Sequence, residues 1–551
     1  MASAALTASA ALLAAQPAAA RAPTPQSNAL TYVEARAAAM SGEHARSAEL
    51  LARLADSNAN DATLNRKALG EAIGAGDMTL ALRLARKVPA TELTVDTRLL
   101  LIADELRHDR SERALQYAAG SNDDANLQFL EPLIRAWAAV ERRDLTSALT
   151  TIEQVPVNSV LGPFRDENRA FILLKFRRAA EAEPFARRAI AAAGGRETRL
   201  RLALADGFLA AGDRTRALAM VDDMGTETGP VRQRIASGKR TDLAIDQPAK
   251  AYAELLLGLA VDLNRLNNRA LPISMVQVAR YADPRNSAGA VLLGLLLENQ
   301  GRVNEALSVL MSVAATDPLA AQAHDTAVRI LVDQKRFDQA LAIAQTATSA
   351  PNAGVGDFAR LGDVMQATKR YTEAADAYGR AIALAQAQKL PSELWPLYLL
   401  RATALEAANR WPETKQALQA ALALAPDQPL ILNFLGYAKL ERGEDLDAAE
   451  AMIRKASALA PDDASITDSL GWALYKRGRF ADAIETLQRA AAKDPQQPEI
   501  HEHLGDALYS IGRRYEARFA WNAALVSADD DIAPRIRLKI DAGLTPATAA
   551  P

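Results

Sequence analysis

The chain lacks cysteine and is poor in aromatic side chains. Its 551 residues contain no Cys, and Phe, Trp and Tyr together make up 5%. The missing Cys excludes disulfides, thiolate metal sites, cysteine nucleophiles and the acylated cysteine of a lipoprotein anchor, and it leaves the redox compartment open. The formal net charge of −3 gives no overall field that would favour nucleic acid or an anionic membrane. We therefore expect no nucleic-acid partner and no lipid anchor.

The sequence also lacks the motifs of catalysis. It has no Gly-rich phosphate loop ending in Lys-Ser/Thr, no dinucleotide fingerprint and no nucleophile elbow. The five histidines are scattered, and the two imidazoles of His501-Glu502-His503 lie two positions apart, where they diverge on a helix instead of sharing a metal. The sequence predicts a protein that is not an enzyme and has no cofactor and no metal.

No apolar run is long enough to span a bilayer, but the first 26 residues have features of a targeting segment. Residues 8–15 are a short apolar stretch, and residues 18–20 are all alanine, as at a signal-peptidase site. No Lys or Arg precedes Arg21, so the usual basic start is missing. Residues 1–26 are either a signal peptide, which predicts a periplasmic protein, or a disordered tail of a cytoplasmic one. Export is the expectation.

The rest of the chain is organised by a repeat. Small residues recur at one equivalent position, 34, 34, 40, 34, 35 and 34 residues apart: Gly294, Val328, Gly362, Ala402, Gly436, Gly471 and Gly505. About twelve residues after each lies a second: Ala306, Ala340, Ala374, Thr414, Ala449, Ala483 and Ala517. Small residues on facing helices let the two axes approach closely. The fixed period indicates an all-α solenoid, a superhelix of antiparallel helical hairpins.

Turn and stop signals recur with the same period. The first helix of each hairpin is predicted to end, and the chain to turn, at Gly301, Lys335, Lys369, Asn409, Gly478 and Gly512, each of which precedes an arginine. Glycine or asparagine at such a turn supports a left-handed cap. The second helix is predicted to end at a proline, at Pro318, Pro426, Pro461 and Pro495.

These signals divide the chain into six parts. Degenerate helical hairpins with the same rhythm precede a segment rich in Gly, Pro and basic residues, and regular repeats follow it. The predicted parts are residues 1–26 (signal peptide or disordered tail), 28–223 (degenerate hairpin repeats), 224–248 (loop or boundary), 249–284 (irregular hairpin), 285–530 (regular repeats) and 531–551 (short helix and disordered Pro/Ala tail).

Residues 285–530 resemble the tetratricopeptide repeat family. The resemblance is carried by the pair of small residues, the large residue between hairpin helices at Tyr378, Leu418, Leu487 and Trp521, and the terminal proline. Residues 28–223 share with this family only the alternation of helix, turn and helix. The resemblance implies a scaffold that binds other proteins in a groove.

The order of the parts is similar to that of large bacterial envelope repeat proteins. One member of that group is the lipoprotein partner of a periplasmic carboxyl-terminal processing protease. This similarity implies an adaptor that presents envelope substrates, such as cell-wall hydrolases, to a protease, although the missing Cys departs from the lipoprotein form. The alternatives are a regulatory or sensor subunit of a cell-wall enzyme complex and, without export, a cytoplasmic scaffold.

The resemblance also implies which residues contact a partner, because the first helix of each repeat lines the groove. Counting from the small residues places eight side chains there, which we call the first-helix strip: Asn433, Tyr437, Asp468, Trp472, Tyr475, Glu502, Asp506 and Tyr509. Rigid aromatic rings and carboxylates favour a basic peptide segment. Trp472 is predicted to be either a core residue or a contact residue, and Tyr475 is predicted to pack within the repeat. The sequence predicts that Asp468→Ala or Glu502→Ala changes binding with little loss of stability.

Overall fold

The computed structural model describes residues 27–58, 61–119, 127–222, 224, 229–265, 271–350 and 353–550. The predicted targeting segment, residues 1–26, lies outside these ranges. Within them all regular structure is helical, with no β-strand. The chain forms two compact units, one of Met1–Val221 with Arg234–Ala306 and the other of Asp222–Gln233 with Leu307–Pro551.

The helices follow one another as hairpins. Up to residue 311 they are α1 (Asn28–Met40), α2 (His44–Ser57), α3 (Ala62–Ala75), α4 (Met78–Ala85), α5 (Val95–Arg107), α6 (Ser111–Ala118), α7 (Glu131–Glu141), α8 (Leu145–Glu153), α9 (Gly162–Lys175), α10 (Ala179–Ala192), α11 (Glu197–Ala210), α12 (Arg214–Ala219), α13 (Gly229–Ala236), α14 (Pro248–Arg265), α15 (Leu271–Ala282), α16 (Ser287–Asn299) and α17 (Val303–Met311). Helices α13 and α17 span two of the three points where the chain passes between units. The helices of the second unit are then α18 (Ala320–Asp333), α19 (Phe337–Thr348), α20 (Val355–Ala367), α21 (Tyr371–Ala387), α22 (Pro391–Ala407), α23 (Trp411–Leu424), α24 (Pro429–Glu441), α25 (Leu446–Leu459), α26 (Ala464–Lys476), α27 (Phe480–Lys493), α28 (Pro498–Ser510), α29 (Arg514–Ser527) and α30 (Ala533–Ala542).

In the first unit, the hairpin of α14 and α15 packs back against helices from much earlier in the chain. The Tyr252 hydroxyl of α14 donates to the Leu99 carbonyl of α5 at 3.3 Å, and the Tyr281 hydroxyl of α15 donates to Asp104 at 2.8 Å. A buried ion pair joins α11 to α14, with 2.8 Å between Arg199 and Glu254. The hairpin predicted at residues 249–284 is thus an internal part of this unit.

In the second unit, each hairpin closes through its small residues. A Cβ atom added to Gly471 would lie 2.6 Å from Cγ of Leu487, and one added to Gly362 would lie 2.5 Å from the Tyr378 ring. Neither glycine has room for a side chain, because the large residue of the partner helix fills the space. This confirms that the repeated small residues specify packing within the hairpin.

The predicted turns are present as well. Lys335, Lys369 and Asn409 have φ between 57 and 59°, and Gly478 and Gly512 also lie in the left-handed region. The arginine after each turn pairs with a carboxylate or an amide three residues later, as in the 2.7 Å hydrogen bonds from Arg336 to Gln339, Arg370 to Glu373, Arg410 to Glu413 and Arg513 to Glu516. The caps are therefore built alike from repeat to repeat.

Helix α30 stands where the next repeat would begin. Lys539 lies 34 residues after Gly505, so it occupies the position that a small residue holds in the preceding first helices. In the described chain no second helix follows α30. Residues 543–550 instead turn back to the first helices, and this return shapes the candidate site.

Candidate functional site

The first-helix strip lies on three successive first helices. Asn433 and Tyr437 belong to α24, Asp468, Trp472 and Tyr475 to α26, and Glu502, Asp506 and Tyr509 to α28. The sequence prediction placed these eight side chains along one face, and nothing in the structure tests whether a partner binds them. The structure does show what each one contacts within the chain.

The aromatic part of the strip is a stack. The Trp472 ring is fully buried and lies between two other rings, with centroids 4.6 Å from Tyr475 and 4.2 Å from His503. The indole Nε1 donates to Glu441 at 2.7 Å. Trp472 therefore packs in the core of the repeat junction, and burial raises the pKa of the neighbouring Tyr475 phenol.

The carboxylates of the strip are engaged by side chains of the next first helix along the chain. Asp468 faces the imidazole Nδ1 of His503 at 2.9 Å. Glu502 accepts hydrogen bonds from Arg535 at 2.8 Å and from Lys539 at 2.6 Å. Ion pairs of this kind between consecutive repeats also occur upstream, where Arg360 pairs with Asp325 and Arg442 pairs with Glu406. The carboxylates of the strip therefore serve largely to join one repeat to the next.

Asp506 is the most enclosed of these carboxylates. It is fully buried and accepts hydrogen bonds from Lys539 Nζ at 2.7 Å, from Trp521 Nε1 at 2.9 Å and from the main-chain N–H of Ala550 at 3.1 Å. Burial raises the pKa of the Asp506 carboxyl despite the opposing effect of Lys539. Burial also disfavours the ionised form of the Glu502 carboxyl, which would raise its pKa. Hydrogen bonds from Arg535 and Lys539 outweigh burial, and the pKa of Glu502 is lowered.

His503 has a shifted pKa of its own. Burial opposes protonation of this imidazole, but the Asp468 carboxylate outweighs burial and raises the pKa. His501 points elsewhere, with Nε2 3.0 Å from the Pro495 carbonyl oxygen. The two imidazoles diverge, as the spacing predicts. Across the residues that the structure describes, no group of three or more His, Cys, Asp or Glu side chains could hold a metal ion.

The last described residues complete the site. Ala550 is 3% exposed and belongs to the buried cluster of Trp472, Ala473 and Leu440, against which Tyr437 and Tyr475 pack. The sequence favoured a disordered tail here, whereas the structure places the end of residues 543–550 on the strip. A Cβ on Gly543 would collide with the Tyr509 ring. The strip is therefore covered, in part, by the chain itself.

Sequence reasoning missed five residues of this site: Glu441, His503, Arg535, Lys539 and Ala550. Four of them belong to pairs 31–37 residues apart, so the repeat register itself was a usable signal. Ala550 had no such signal, because its neighbours are set by the turn after α30.

One residue of the strip lacks a hydrogen-bond partner. The Oδ1 atom of Asn433 is buried and has no partner among the described residues.

No helix of the described part of the chain is both long and apolar enough to cross a bilayer. Comparison of the sequence with known families finds a match to the family described as TPR repeat, over residues 471–512. That range covers the Gly471 and Gly505 positions and the turn at Gly478. No curated protein matches the chain in sequence.

Comparison with solved structures finds matches at low sequence identity, each with a TM-score below 0.4. The Cut9-Hcn1 hetero-tetramer of the APC/C matches with 14% identity and a TM-score of 0.38 and covers 94% of this chain and 97% of that one. MamA matches with 20% identity and a TM-score of 0.26, over 30% of this chain and 94% of that one. YrrB, described as a TPR protein with an unusual peptide-binding site, matches with 15% identity and a TM-score of 0.27, over 34% and 94%.

Proposed function

We propose that this chain, which matches the TPR repeat family over residues 471–512 and is helical in its described parts, is a noncatalytic scaffold whose first-helix strip binds segments of other proteins. Repeat arrays present long open surfaces of this kind and use them for protein–protein interaction. The strip combines rings that give rigid contact area with buried polar groups that can fix the orientation of a bound segment.

One observation carries the proposal: the strip already holds a stretch of polypeptide. Ala550 is buried beside Trp472, and its N–H donates to Asp506. This contact does not belong to the packing of one repeat on the next, because residues 543–550 follow the last helix and are not helical. A surface that accommodates main chain and a small side chain in this way is suited to another segment of the same kind.

The contacts change the kind of partner that the acidic strip favours. Asp468, Glu502 and Asp506 are paired with His503, Arg535 and Lys539, so most of the negative charge predicted from the sequence is balanced within the chain. A partner that relied on several basic side chains would have to displace these pairs. We therefore propose that main-chain hydrogen bonds and apolar contacts, more than charge, hold the bound segment.

We further propose that the protein acts in the bacterial cell envelope and delivers substrates to a periplasmic carboxyl-terminal processing protease. Support comes from the targeting pattern of residues 1–26 and from the similarity in the order of the parts. Degradation of candidate cell-wall hydrolases by such a protease is measured with and without this protein. Faster degradation with it is expected, and unchanged degradation overturns the adaptor role.

The compartment has its own test. Residues 1–30 are fused to a reporter that is active only after export, beside a fusion in which residues 8–15 are replaced by a polar sequence. Activity of the first fusion alone supports a periplasmic protein. Retention of both in the cytoplasm removes the envelope proposals and leaves the cytoplasmic scaffold.

A further inference from the structure

We infer that residues 543–550 compete from within the chain for the site of the partner segment, and that the partner segment shares their chemistry: uncharged and rich in small side chains. The inference rests on the proposed function of the strip and names both its ligand class and its regulation. In this account the strip is closed when the chain is alone and opens only when these residues leave.

Residues 543–550 contact the strip at two separate points, as a bound peptide would. Gly543, with φ of 87°, passes against the Tyr509 ring, where a larger residue would collide. A turn then follows, in which the N–H groups of Thr548 and Ala549 donate to the Thr545 carbonyl at 3.0 and 2.9 Å. The turn leaves Thr545, Pro546 and Ala547 exposed and brings Ala550 back to the strip. The segment thus has two anchors joined by an exposed loop.

The anchor at Ala550 defines the chemistry of what fits. Its buried side chain is a single methyl group in a cluster with the Trp472 ring, so the position suits a small residue. The charge of Asp506 is already met by Lys539, and the group that completes its coordination is a neutral main-chain N–H. A cation added there would meet the buried Lys539, which disfavours a basic residue by like-charge repulsion. Residues 544–550 (Leu-Thr-Pro-Ala-Thr-Ala-Ala) carry no charge at all.

The tether makes the competition effective. Residues 543–550 follow directly from α30, which Lys539 fixes to the same Asp506 that Ala550 contacts. A short tether of this kind gives a local concentration on the order of millimolar. A free segment therefore binds with its intrinsic affinity reduced by the fraction of chains whose strip is open. Any change that releases Ala550 raises the apparent affinity for a free segment.

The test compares two full-length variants, Ala550→Glu and Ala547→Glu. They add the same charge to the same segment, but Ala550 is buried at the strip whereas Ala547 is exposed. The probe is a fluorescent, end-blocked peptide of residues 543–550, titrated by anisotropy. We expect A550E to bind it about tenfold or more tightly than the wild-type chain, and A547E to bind it as the wild type does. Equal affinity of all three proteins overturns the inference.

Amide hydrogen exchange gives a second, independent measurement. In the wild-type chain an excess of the unlabelled peptide should displace residues 544–550 and speed exchange of the Ala550 amide. Unchanged exchange at peptide concentrations that saturate the wild-type chain in the anisotropy titration contradicts competition. A slow amide at position 550 in A550E also contradicts it, because the glutamate then fails to release the segment. Failure of the protease assay above would leave these binding results untouched, so the two proposals fail separately.

Discussion

The Nζ atom of Lys539 lies 2.6 Å from a carboxylate oxygen of Glu502, and neither side chain is more than 1% exposed. In the repeat register Lys539 stands where earlier first helices carry Gly436, Gly471 and Gly505. Those glycines admit the large residue of a second helix, but α30 has no second helix after it in the described chain. The lysine instead ties α30 to the preceding repeat, and α30 in turn fixes the start of the segment that covers the strip.

Removal of this lysine should destabilise the end of the array. Lys539→Met keeps much of the apolar stem but leaves the buried Asp506 without its cation and Glu502 with Arg535 alone, which we expect to cost about 3–5 kcal/mol. Because a repeat array does not unfold as one two-state unit, the cost is measured as faster amide exchange in α28 to α30. Arg537→Met, at an exposed position of the same helix, is the control. Equal exchange in both variants would show that the buried pairs contribute little.

Glu502→Ala should also lose stability, contrary to the sequence prediction. The sequence analysis placed Glu502 on an open surface, but the residue is 1% exposed and bonded to Arg535 and Lys539. Loss of these hydrogen bonds is expected to cost about 1–3 kcal/mol. Glu485→Ala, on the exposed side of α27, should leave thermal melting unchanged. The same reasoning applies to Asp468, whose partner His503 is buried. A melting curve of E502A that matches that of E485A would restore the original prediction.

Gly471→Ala should destabilise its hairpin although alanine is the better helix former. The added Cβ would lie 2.6 Å from Cγ of Leu487, and the overpacking is expected to cost about 1–3 kcal/mol. Gly70 in α3 has no atom within 4 Å of such a Cβ, so Gly70→Ala should be stabilising by about 0.5–1 kcal/mol. Amide exchange in α26 and α27 for G471A, and in α3 and α4 for G70A, checks the opposite signs. Stabilisation by both substitutions would mean that Gly471 is not needed for close packing.

The His503 pair should make the junction of α26 and α28 sensitive to pH. Because the folded-state pKa of His503 is raised, its contribution is fully present below the ordinary value of about 6.5 and is lost as pH rises through the folded value. The groups that face it are Asp468 on α26 and Asp506 and Glu502 on its own helix. Amide exchange in α26 and α28, corrected for intrinsic rates, should therefore quicken with rising pH. His503→Gln should abolish this trend and His501→Gln should keep it. The trend would be misassigned if H503Q retained it.

The fold was predictable from the sequence because its strongest signals are local. The small residues, the turns before arginine and the prolines each act within one hairpin of about 34 residues, as in Gly471 against Leu487. The strip could be placed from the same register. The side chains that pair with its carboxylates could not be predicted. Those contacts join one repeat to the next, and they depend on side chains such as His503 and Lys539 that match no consensus.

Contacts of long sequence separation were also beyond the sequence pattern. The return of α14 and α15 to α5 joins residues 153 and 177 positions apart, and no periodicity of a hairpin repeat encodes such a distance. The return of Ala550 to Asp506 spans 44 residues and depends on the turn at Thr545. Composition alone made residues 543–550 look disordered, because a stretch of Ala, Thr and Pro has little apolar surface to bury.

The central claim is that protein segments bind on the first-helix strip, and site-specific cross-linking tests it most directly. A photoreactive phenylalanine analogue replaces Tyr437 on the strip or, as the control, the 76% exposed Phe519 on α29. Both positions are aromatic, and both variants carry Ala550→Glu so that the strip is open. The account predicts that the peptide of residues 543–550, and any substrate that the protein delivers to a protease, cross-links to position 437 and not to position 519. Cross-linking at position 519 alone, or at neither position, would contradict it.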